Sequence, residues 1–236
     1  MEKGYNKIVF FFVVIVLITL PGFYKSYFSL LPDFPGLKNI HHFHAVALML
    51  YLALLIVQPI LISSKKIAIH RIIGKFSYIL VPLIFISLIL VYHNQYLRMF
   101  LEGKPNSELL AFVFAPTTDA IPFFIFYVLA MLNTQKTSVH MRYIITTGVV
   151  AAGPGFGRIF IYGLGMDVFA AIQIVTLTTL LTFVALILYD RKKKANFRIS
   201  PYVIAFAIWL IPNILIIFFP QTEIWQGVAK WIVSTF

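Results

Sequence analysis

The chain has 236 residues, of which 61% are hydrophobic and only 11% are Asp, Glu, Lys or Arg. A soluble domain of this length cannot bury so much apolar surface, so the soluble, disordered and fibrous classes are excluded. The formal net charge of +11 falls in short runs between apolar segments. This pattern is typical of orientation in a membrane and not of nucleic-acid binding, and the absence of cysteine excludes disulfides and thiolate metal sites.

Seven segments are long enough to cross a bilayer, which needs about 20 mostly apolar residues. They lack the alternation of barrel strands, so we predict an all-α, seven-transmembrane-helix bundle in one polytopic domain, residues 1–236. The tail, Ile224–Phe236, is too short to span, and its tryptophans and Lys230 predict a short helix in the membrane interface. The predicted spans are about Lys7–Leu30, Phe43–Ile62, Ile72–Tyr92, Glu108–Leu132, Arg142–Gly163, Val168–Tyr189 and Tyr202–Phe219.

Lysine and arginine predict the orientation of these spans. With a cytoplasmic N-terminus, thirteen of the 19 Lys and Arg residues fall on the inside, which predicts an N-in, C-out protein of the cytoplasmic (inner) membrane. The run Arg191–Lys194 is expected to contact anionic lipid headgroups on the cytoplasmic face. The segment Asn94–Ser107 is predicted to be the longest outer loop, with a short interfacial helix formed by Tyr96, Leu97, Met99 and Phe100 as one interpretation. The inside residues are Lys3, Lys7, Lys65, Lys66, Arg71, Lys75, Lys136, Arg142, Arg191, Lys192, Lys193, Lys194 and Arg198.

Asp119 is the clearest ionisable residue inside a predicted span. It lies about 16 Å below the outer end of the fourth span, where a charged side chain costs about 2.5–3.5 kcal/mol on insertion scales. Pro116 and Pro122 flank it, and each removes a backbone donor and frees a carbonyl one turn earlier. Broken helices of this kind line binding sites in transporters, so Asp119 and Thr118 are candidate ligand-binding residues. The alternative is a kinked helix in which Asp119 bonds a neighbouring arginine.

Arg158, near the outer end of the fifth span, is the candidate partner of Asp119. Small residues at 148, 153, 155 and 157 permit the close approach of another helix or of a flat ligand. The alternative role for Arg158 is snorkelling to the outer headgroups. We predict an Asp119–Arg158 pair, within reach of a hydrogen bond or one bridging water, in a polar outer-half pocket that also holds His44, His93 and Lys25.

The histidines fall into two layers. The outer layer is His41, His42, His44 and His93, and the inner layer is His70 and His140. Imidazoles from different helices at one depth are the pattern of a membrane haem protein with one haem per face. His41, His44 and His93 are instead a candidate ligand set for a divalent metal. In a third interpretation the histidines carry no ligand and lie at the membrane interfaces, where their side chains are partly exposed to water.

A group of polar residues on the cytoplasmic side is predicted to be structural. Gln58 lies near the end of the second span, and His70 and Arg71 open the third. We expect these residues to lock the tight turn between the two helices by hydrogen bonds and to contact headgroups. His140 and Arg142, at the start of the fifth span, are assigned the same role.

Together these residues form a pattern along the chain. It consists of His44, Gln58, His70-Arg71-x-x-Gly74, His140-x-Arg142, Pro154, Arg158, Asp190-Arg191 and Ser200-Pro201. The pattern resembles a large family of small bacterial multi-pass membrane proteins, classed as a domain of unknown function, with H…Q…HR-x-x-G and H-x-R…P…R elements. The resemblance covers most of the chain and implies a bacterial membrane, but no activity.

Two seven-helix classes fit poorly. Zinc hydrolases of the adiponectin-receptor and ceramidase type share the predicted orientation but require histidines on the last helix, and Tyr202–Phe219 has none. A retinal protein needs a lysine in its last span, which is also absent.

Three functional hypotheses remain open. In the first, the outer-half pocket holds haem, a metal or a small polar ligand, and the protein is a binding or redox module. In the second, the protein is a small solute or ion transporter that uses Asp119 on the broken fourth helix. In the third, it is a membrane-embedded enzyme in which His and Asp act as acid–base groups.

Overall fold

A computed structural model describes residues 4–193 and 199–235 and shows a helical bundle. The chain is 83% helix, and the described residues contain no strand. The prediction of an all-α fold is therefore confirmed. Six helices are long and apolar enough to cross a membrane, as expected of a multi-pass membrane protein. Lys3, Lys194 and Arg198, which entered the charge count, lie outside the described residues.

The elements follow one another with short connections. A 3₁₀ turn at Phe28–Leu30 follows the first helix, a π-helical turn at Ile159–Gly163 ends the sixth, and a 3₁₀ turn at Phe219–Gln221 precedes the last. The α-helices are α1 (Tyr5–Gly22), α2 (Asn39–Ser63), α3 (Ile67–Leu101), α4 (Asn106–Phe114), α5 (Pro116–Leu132), α6 (Thr137–Arg158), α7 (Val168–Lys192), α8 (Pro201–Leu215) and α9 (Glu223–Thr235).

Two predicted boundaries differ from the structure. The predicted outer loop Asn94–Ser107 is helical as far as Leu101, because its first residues are good helix formers. Helix α3 ends shortly before Gly103, whose backbone φ of 71° is the left-handed conformation in which helices commonly end. The last predicted span, Tyr202–Phe219, is helical only to Leu215, so α8 has 15 residues and is about 22 Å long.

The fourth predicted span is divided into α4 and α5 at Ala115, immediately before Pro116. The carbonyls around this break have donors within the protein. The Thr118 hydroxyl donates to the Ala115 carbonyl at 2.8 Å. The Asn213 amide donates at 3.1 Å to the Thr118 carbonyl, which is the one freed by Pro122. The break is therefore stabilised by hydrogen bonds from α5 itself and from α8.

Helix α6 forms the centre of the bundle. In its most apolar window 44% of the residues are buried, against 17–33% in the other five candidate spans. Its small residues meet α1, because a Cβ atom on Gly148 would lie 2.8 Å from the Phe12 ring and one on Gly155 would lie 2.5 Å from the Thr19 carbonyl oxygen. The interpretation of these glycines as helix-packing residues agrees with the structure.

The outer surface of the bundle is apolar, as lipid requires. Ile72, Ile79 and Ile86 recur every seven residues on α3, and their side chains are 70%, 63% and 54% exposed. Helix α9 packs beside α4, where the Trp225 indole donates to the Leu110 carbonyl at 2.9 Å. The predicted C-terminal helix is thus present, and it rests on α4.

Replacing Gly155 with alanine should destabilise the bundle by about 1–3 kcal/mol, because the new methyl group would collide with the α1 backbone. The measurement is the midpoint of unfolding in detergent, followed by circular dichroism. Gly157→Ala on the same helix is the control, since its Cβ would lie 3.4 Å from Val175, an ordinary contact distance. Equal midpoints for the two variants would show that α1 and α6 do not cross at Gly155.

Candidate functional site

A cavity of about 680 Å³ lies at one end of the bundle. It is enclosed by the first turns of α1, α3 and α6 and by the last turns of α2 and α5. The charge pattern predicts that this end faces the cytoplasm. We call it the histidine cavity because His70 and His140 both line it.

The wall of the histidine cavity is mostly aliphatic and aromatic. Among the described residues that line it there is no Asp or Glu, and their polar groups are imidazoles, amides, hydroxyls and the two cations Arg71 and Lys75. Both cations are exposed, and within the described part of the chain neither forms an ion pair. The apolar lining residues include Ile8, Phe12, Leu54, Leu55, Ile62, Met131, Met141 and Ile144.

His140 presents a lone pair to this cavity. Its Nδ1 lies 2.8 Å from the Ala130 carbonyl oxygen at the end of α5. A carbonyl oxygen only accepts, so Nδ1 carries the proton, and in the neutral ring Nε2 is left as an acceptor. No described residue occupies that Nε2.

His70 is held against the end of α2 by Gln58. The Gln58 amide nitrogen faces the His70 carbonyl at 3.2 Å and also the His70 Nδ1, while its amide oxygen accepts from the Gly74 N–H at 3.1 Å. The opposite orientation would direct the amide oxygen at a carbonyl. Gln58 therefore fixes the position of the His70 ring at the wall of the cavity.

Two tyrosines contribute hydroxyl oxygens to the same wall. The Tyr51 hydroxyl lies 2.6 Å from Thr147 Oγ1, and the Tyr127 hydroxyl lies 2.8 Å from Ser77 Oγ. Thr147 and Ser77 each donate their own proton to a backbone carbonyl. The tyrosines therefore donate to these hydroxyls, and their oxygens keep lone pairs that can accept.

Arg142, predicted to be structural, forms a buried ion pair on the other side of α6. Its Nη2 donates to Asp190 Oδ1 at 2.8 Å and its Nε to Oδ2 at 2.9 Å, with side chains only 6% and 3% exposed. The Ser200 hydroxyl donates to Asp190 Oδ2 at 2.6 Å, and the Ser138 carbonyl accepts from Arg142 Nη1. The network joins α6, α7 and α8.

Asp190 and Ser200 entered the sequence analysis only as part of the family resemblance, and the sequence did not predict that they would pair with Arg142.

The expected direct pair between Asp119 and Arg158 is not formed. Asp119 Oδ1 accepts from the Trp209 indole at 3.2 Å, and its Oδ2 lies over Gly153. Arg158 donates to the Pro154 carbonyl at 3.0 Å and stacks on the Phe23 ring at 4.6 Å. Trp209, in the second half of α8, brings its indole N–H to the Asp119 carboxylate. Asp119 therefore has a neutral donor in place of the predicted Arg158 cation.

The other predicted outer residues form separate local contacts. Lys25 donates to the Tyr162 carbonyl at 2.5 Å, in the π-helical turn, and Thr118 donates to its own helix. His44 Nδ1 lies 2.9 Å from Ser87 Oγ, and His44 is within electrostatic range of Arg158. An outer-half ligand site therefore stays a prediction.

The proposed metal set, His41, His44 and His93, is not assembled. His41 Nδ1 accepts from the Lys38 backbone N–H at 3.0 Å and so caps α2, while His44 pairs with Ser87 on α3. Among the described residues, no group of three or more His, Cys, Asp or Glu side chains could hold a metal ion.

No protein-family model, no curated protein and no solved structure matches the chain. The resemblance to a bacterial family of unknown function stays a prediction, and the site is interpreted from its geometry.

Asp190→Ala should destabilise the protein by about 3–5 kcal/mol, because it leaves the buried Arg142 guanidinium without its carboxylate. Adding Arg142→Met should recover much of that loss, since both charges are then removed. The measurement is again the unfolding midpoint in detergent. The exposed pair Arg98–Glu102 is the matched control, and Glu102→Ala should cost less than about 1 kcal/mol. A double variant as unstable as Asp190→Ala alone would refute the coupling.

Proposed function

We propose that this protein is a membrane-embedded binding protein that holds a small amphipathic molecule in the histidine cavity. The observation that carries the proposal is a mostly apolar cavity of about 680 Å³ that two imidazoles, His70 and His140, both line. The proposal keeps the binding hypothesis from the sequence but moves the site from the predicted outer half to the predicted cytoplasmic end.

An amphipathic ligand fits because the cavity combines two surfaces. Its aliphatic and aromatic wall, of about 680 Å³ in all, suits an apolar body, and a few convergent polar groups are typical of sites that fix a ligand's orientation. The exposed Arg71 and Lys75 at the rim would tolerate a polar or anionic substituent near the headgroups.

A divalent metal is less favoured at this site, because no carboxylate is among the described residues that line the cavity. Haem stays a prediction from the two histidine layers.

Seven spans with N-in, C-out orientation form part of the proposal. Helix α8 is apolar, its Trp209 is 1% exposed, and it packs into the bundle like the six longer helices. With α8 as the seventh span, the histidine cavity faces the cytoplasm and the basic run after α7 can contact anionic headgroups of a bacterial inner membrane.

A transporter that uses Asp119 is the second candidate. The α4–α5 break at Ala115 favours it, because broken helices beside a buried carboxylate line transport sites. An enzyme with a His–Asp acid–base pair is less favoured, since Asp119 lies near the start of α5 and the histidine cavity lies at its end.

Purified protein in lipid nanodiscs should bind a diazirine-bearing decyl alcohol, and cross-linked peptides should map to the first turns of α3 and α6. Met141→Trp and Leu54→Trp each place an indole in the cavity and should reduce labelling at least about fivefold, because the site is filled. Leu90→Trp is the control, since Leu90 is 44% exposed on the lipid face of α3. Equal labelling of all four proteins would refute the site.

Asp119→Asn in the same assay separates the two candidates. If the site is the histidine cavity, this variant should label normally, whereas a loss of labelling would favour a site that includes Asp119.

Reporter tags should place residue 1 and the position after Asp190 in the cytoplasm, and a tag after Phe236 outside. The physical reason is the excess of Lys and Arg in the predicted inner segments. A cytoplasmic tag after Phe236 would mean that α8 does not span.

A further inference from the structure

We infer that the ligand of the histidine cavity is an anionic amphiphile, a hydrocarbon chain whose carboxylate or phosphate head group is bound by Arg71 and Lys75. The inference rests on the proposed function and names the charge and the chemical class of the ligand at the same site.

Arg71 and Lys75 line the cavity from one face of α3. They are four residues apart, so their side chains leave neighbouring positions on the helix, with about 5–6 Å between the Cβ atoms. Gly74 and Tyr78 of the same face line the cavity as well. A guanidinium fork and an ammonium group this close on one wall can contact the same carboxylate or phosphate group.

Nothing in the described part of the chain neutralises these two cations. Neither forms an ion pair there, and the described lining residues include no Asp or Glu. The arginines of α6, in contrast, have partners within the bundle. Arg142 has the Asp190 carboxylate, and Arg158 has the Pro154 carbonyl and the Phe23 ring. An anionic ligand would supply the counter-charge that the cavity wall lacks.

The anion is assigned to α3 and not to the imidazole on α6. His140 Nδ1 lies 2.8 Å from the Ala130 carbonyl oxygen, so in the neutral ring its Nε2 is an acceptor, which offers an anionic oxygen no hydrogen bond. No side chain caps the N-terminus of α3. The N–H groups of its first turn therefore add a partial positive charge on the same side of the cavity as the two cations.

The cavity is polar at its mouth, where the helices end, and apolar at its floor. Side chains on a helix tilt toward its N-terminus, which for α3 is the mouth, so both exposed cations lean toward that end. Deeper in the cavity, Phe12 and Leu55 are only 1% and 3% exposed. This gradient orients an amphiphile with its charge at the mouth and its chain at the floor.

The depth of the cavity suits a chain of one membrane leaflet. On α3 the lining residues run from Ile67 to Tyr78, about 16 Å along the axis at about 1.5 Å per residue. The hydrocarbon core of a bilayer is about 30 Å thick, so this depth is close to one leaflet. A lipid-like chain therefore fits with its head group near the cations.

The test compares three competitors of the diazirine-bearing decyl alcohol, namely dodecanoate, dodecanol and dodecyltrimethylammonium, which share one alkyl chain and differ in head-group charge. Nanodiscs of neutral phosphatidylcholine hold each competitor at equal mole fraction, at about pH 9, where a carboxyl group is ionised. With the wild-type protein, dodecanoate should displace the probe at a mole fraction at least about tenfold lower than dodecanol, because two cations attract only its head group. Dodecyltrimethylammonium should be the weakest competitor.

Substitution of the two cations shows whether they hold the head group. Arg71→Gln and Lys75→Gln should each weaken dodecanoate about fivefold and leave dodecanol within about twofold. The matched control is Lys66→Gln, because Lys66 is exposed immediately before α3 but does not line the cavity. It should change neither competitor by more than about twofold. Combining Arg71→Gln with Lys75→Glu should reverse the order, so that dodecyltrimethylammonium displaces the probe better than dodecanoate.

A free fatty acid and an anionic phospholipid of the bilayer share this chemistry, and nanodiscs that contain phosphatidylglycerol distinguish them. Displacement of the probe by phosphatidylglycerol, weakened by Lys75→Gln, assigns a bilayer lipid. Displacement by dodecanoate alone assigns a free fatty acid. Both results support an anionic amphiphile.

The remaining outcomes separate the inference from the proposed function. Equal displacement by dodecanoate and dodecanol, or equal weakening of dodecanoate by Lys66→Gln and Lys75→Gln, overturns the anionic head group and leaves the cavity as a binding site. If Met141→Trp is labelled and displaced like the wild-type protein, the proposed site itself fails.

Discussion

The buried ion pair between Arg142 and Asp190 is the interaction on which the architecture of this end of the bundle depends. Neither charge is stable in an apolar bundle without its partner, so α6 and the end of α7 must stay in register wherever the pair is intact. Ser200 adds the start of α8 to the same carboxylate, and Ser138 takes a further guanidinium proton. Three helix ends are thereby held together immediately beside the histidine cavity.

Helix α6 connects this network to the cavity. His140 and Arg142 are two residues apart, which is about 200° of rotation about the helix axis, so their side chains lie on nearly opposite sides of α6. His140 lines the cavity, and Arg142 forms the ion pair. Gly148 and Gly155, seven residues apart, lie on a further face and admit α1. The H-x-R element thus places an imidazole on the cavity side of a helix whose other faces are held by charge and by close packing.

On α3 the structural and functional interpretations of one motif coincide. His70 and Gly74 are four residues apart and share a helix face, and Gln58 from α2 contacts both. A Cβ on Gly74 would lie 3.7 Å from the Gln58 amide, an ordinary contact distance, so this contact does not by itself require glycine. The contacts that lock the α2–α3 turn also hold the His70 ring at the wall of the cavity. The residues predicted to be structural are therefore also residues that line the cavity.

The sequence by itself determined the helical membrane class, the approximate spans and the break before Pro116, because apolar length and proline chemistry are local properties. Only the tertiary structure decided that Asp119 meets Trp209 and not Arg158, that Arg142 meets Asp190, and that the cavity lies between His70 and His140. These outcomes depend on how each helix is rotated about its axis and how far apart the helices stand. In spans that are apolar on nearly every face, hydropathy carries no signal for rotation, so long-range packing alone sets the partners.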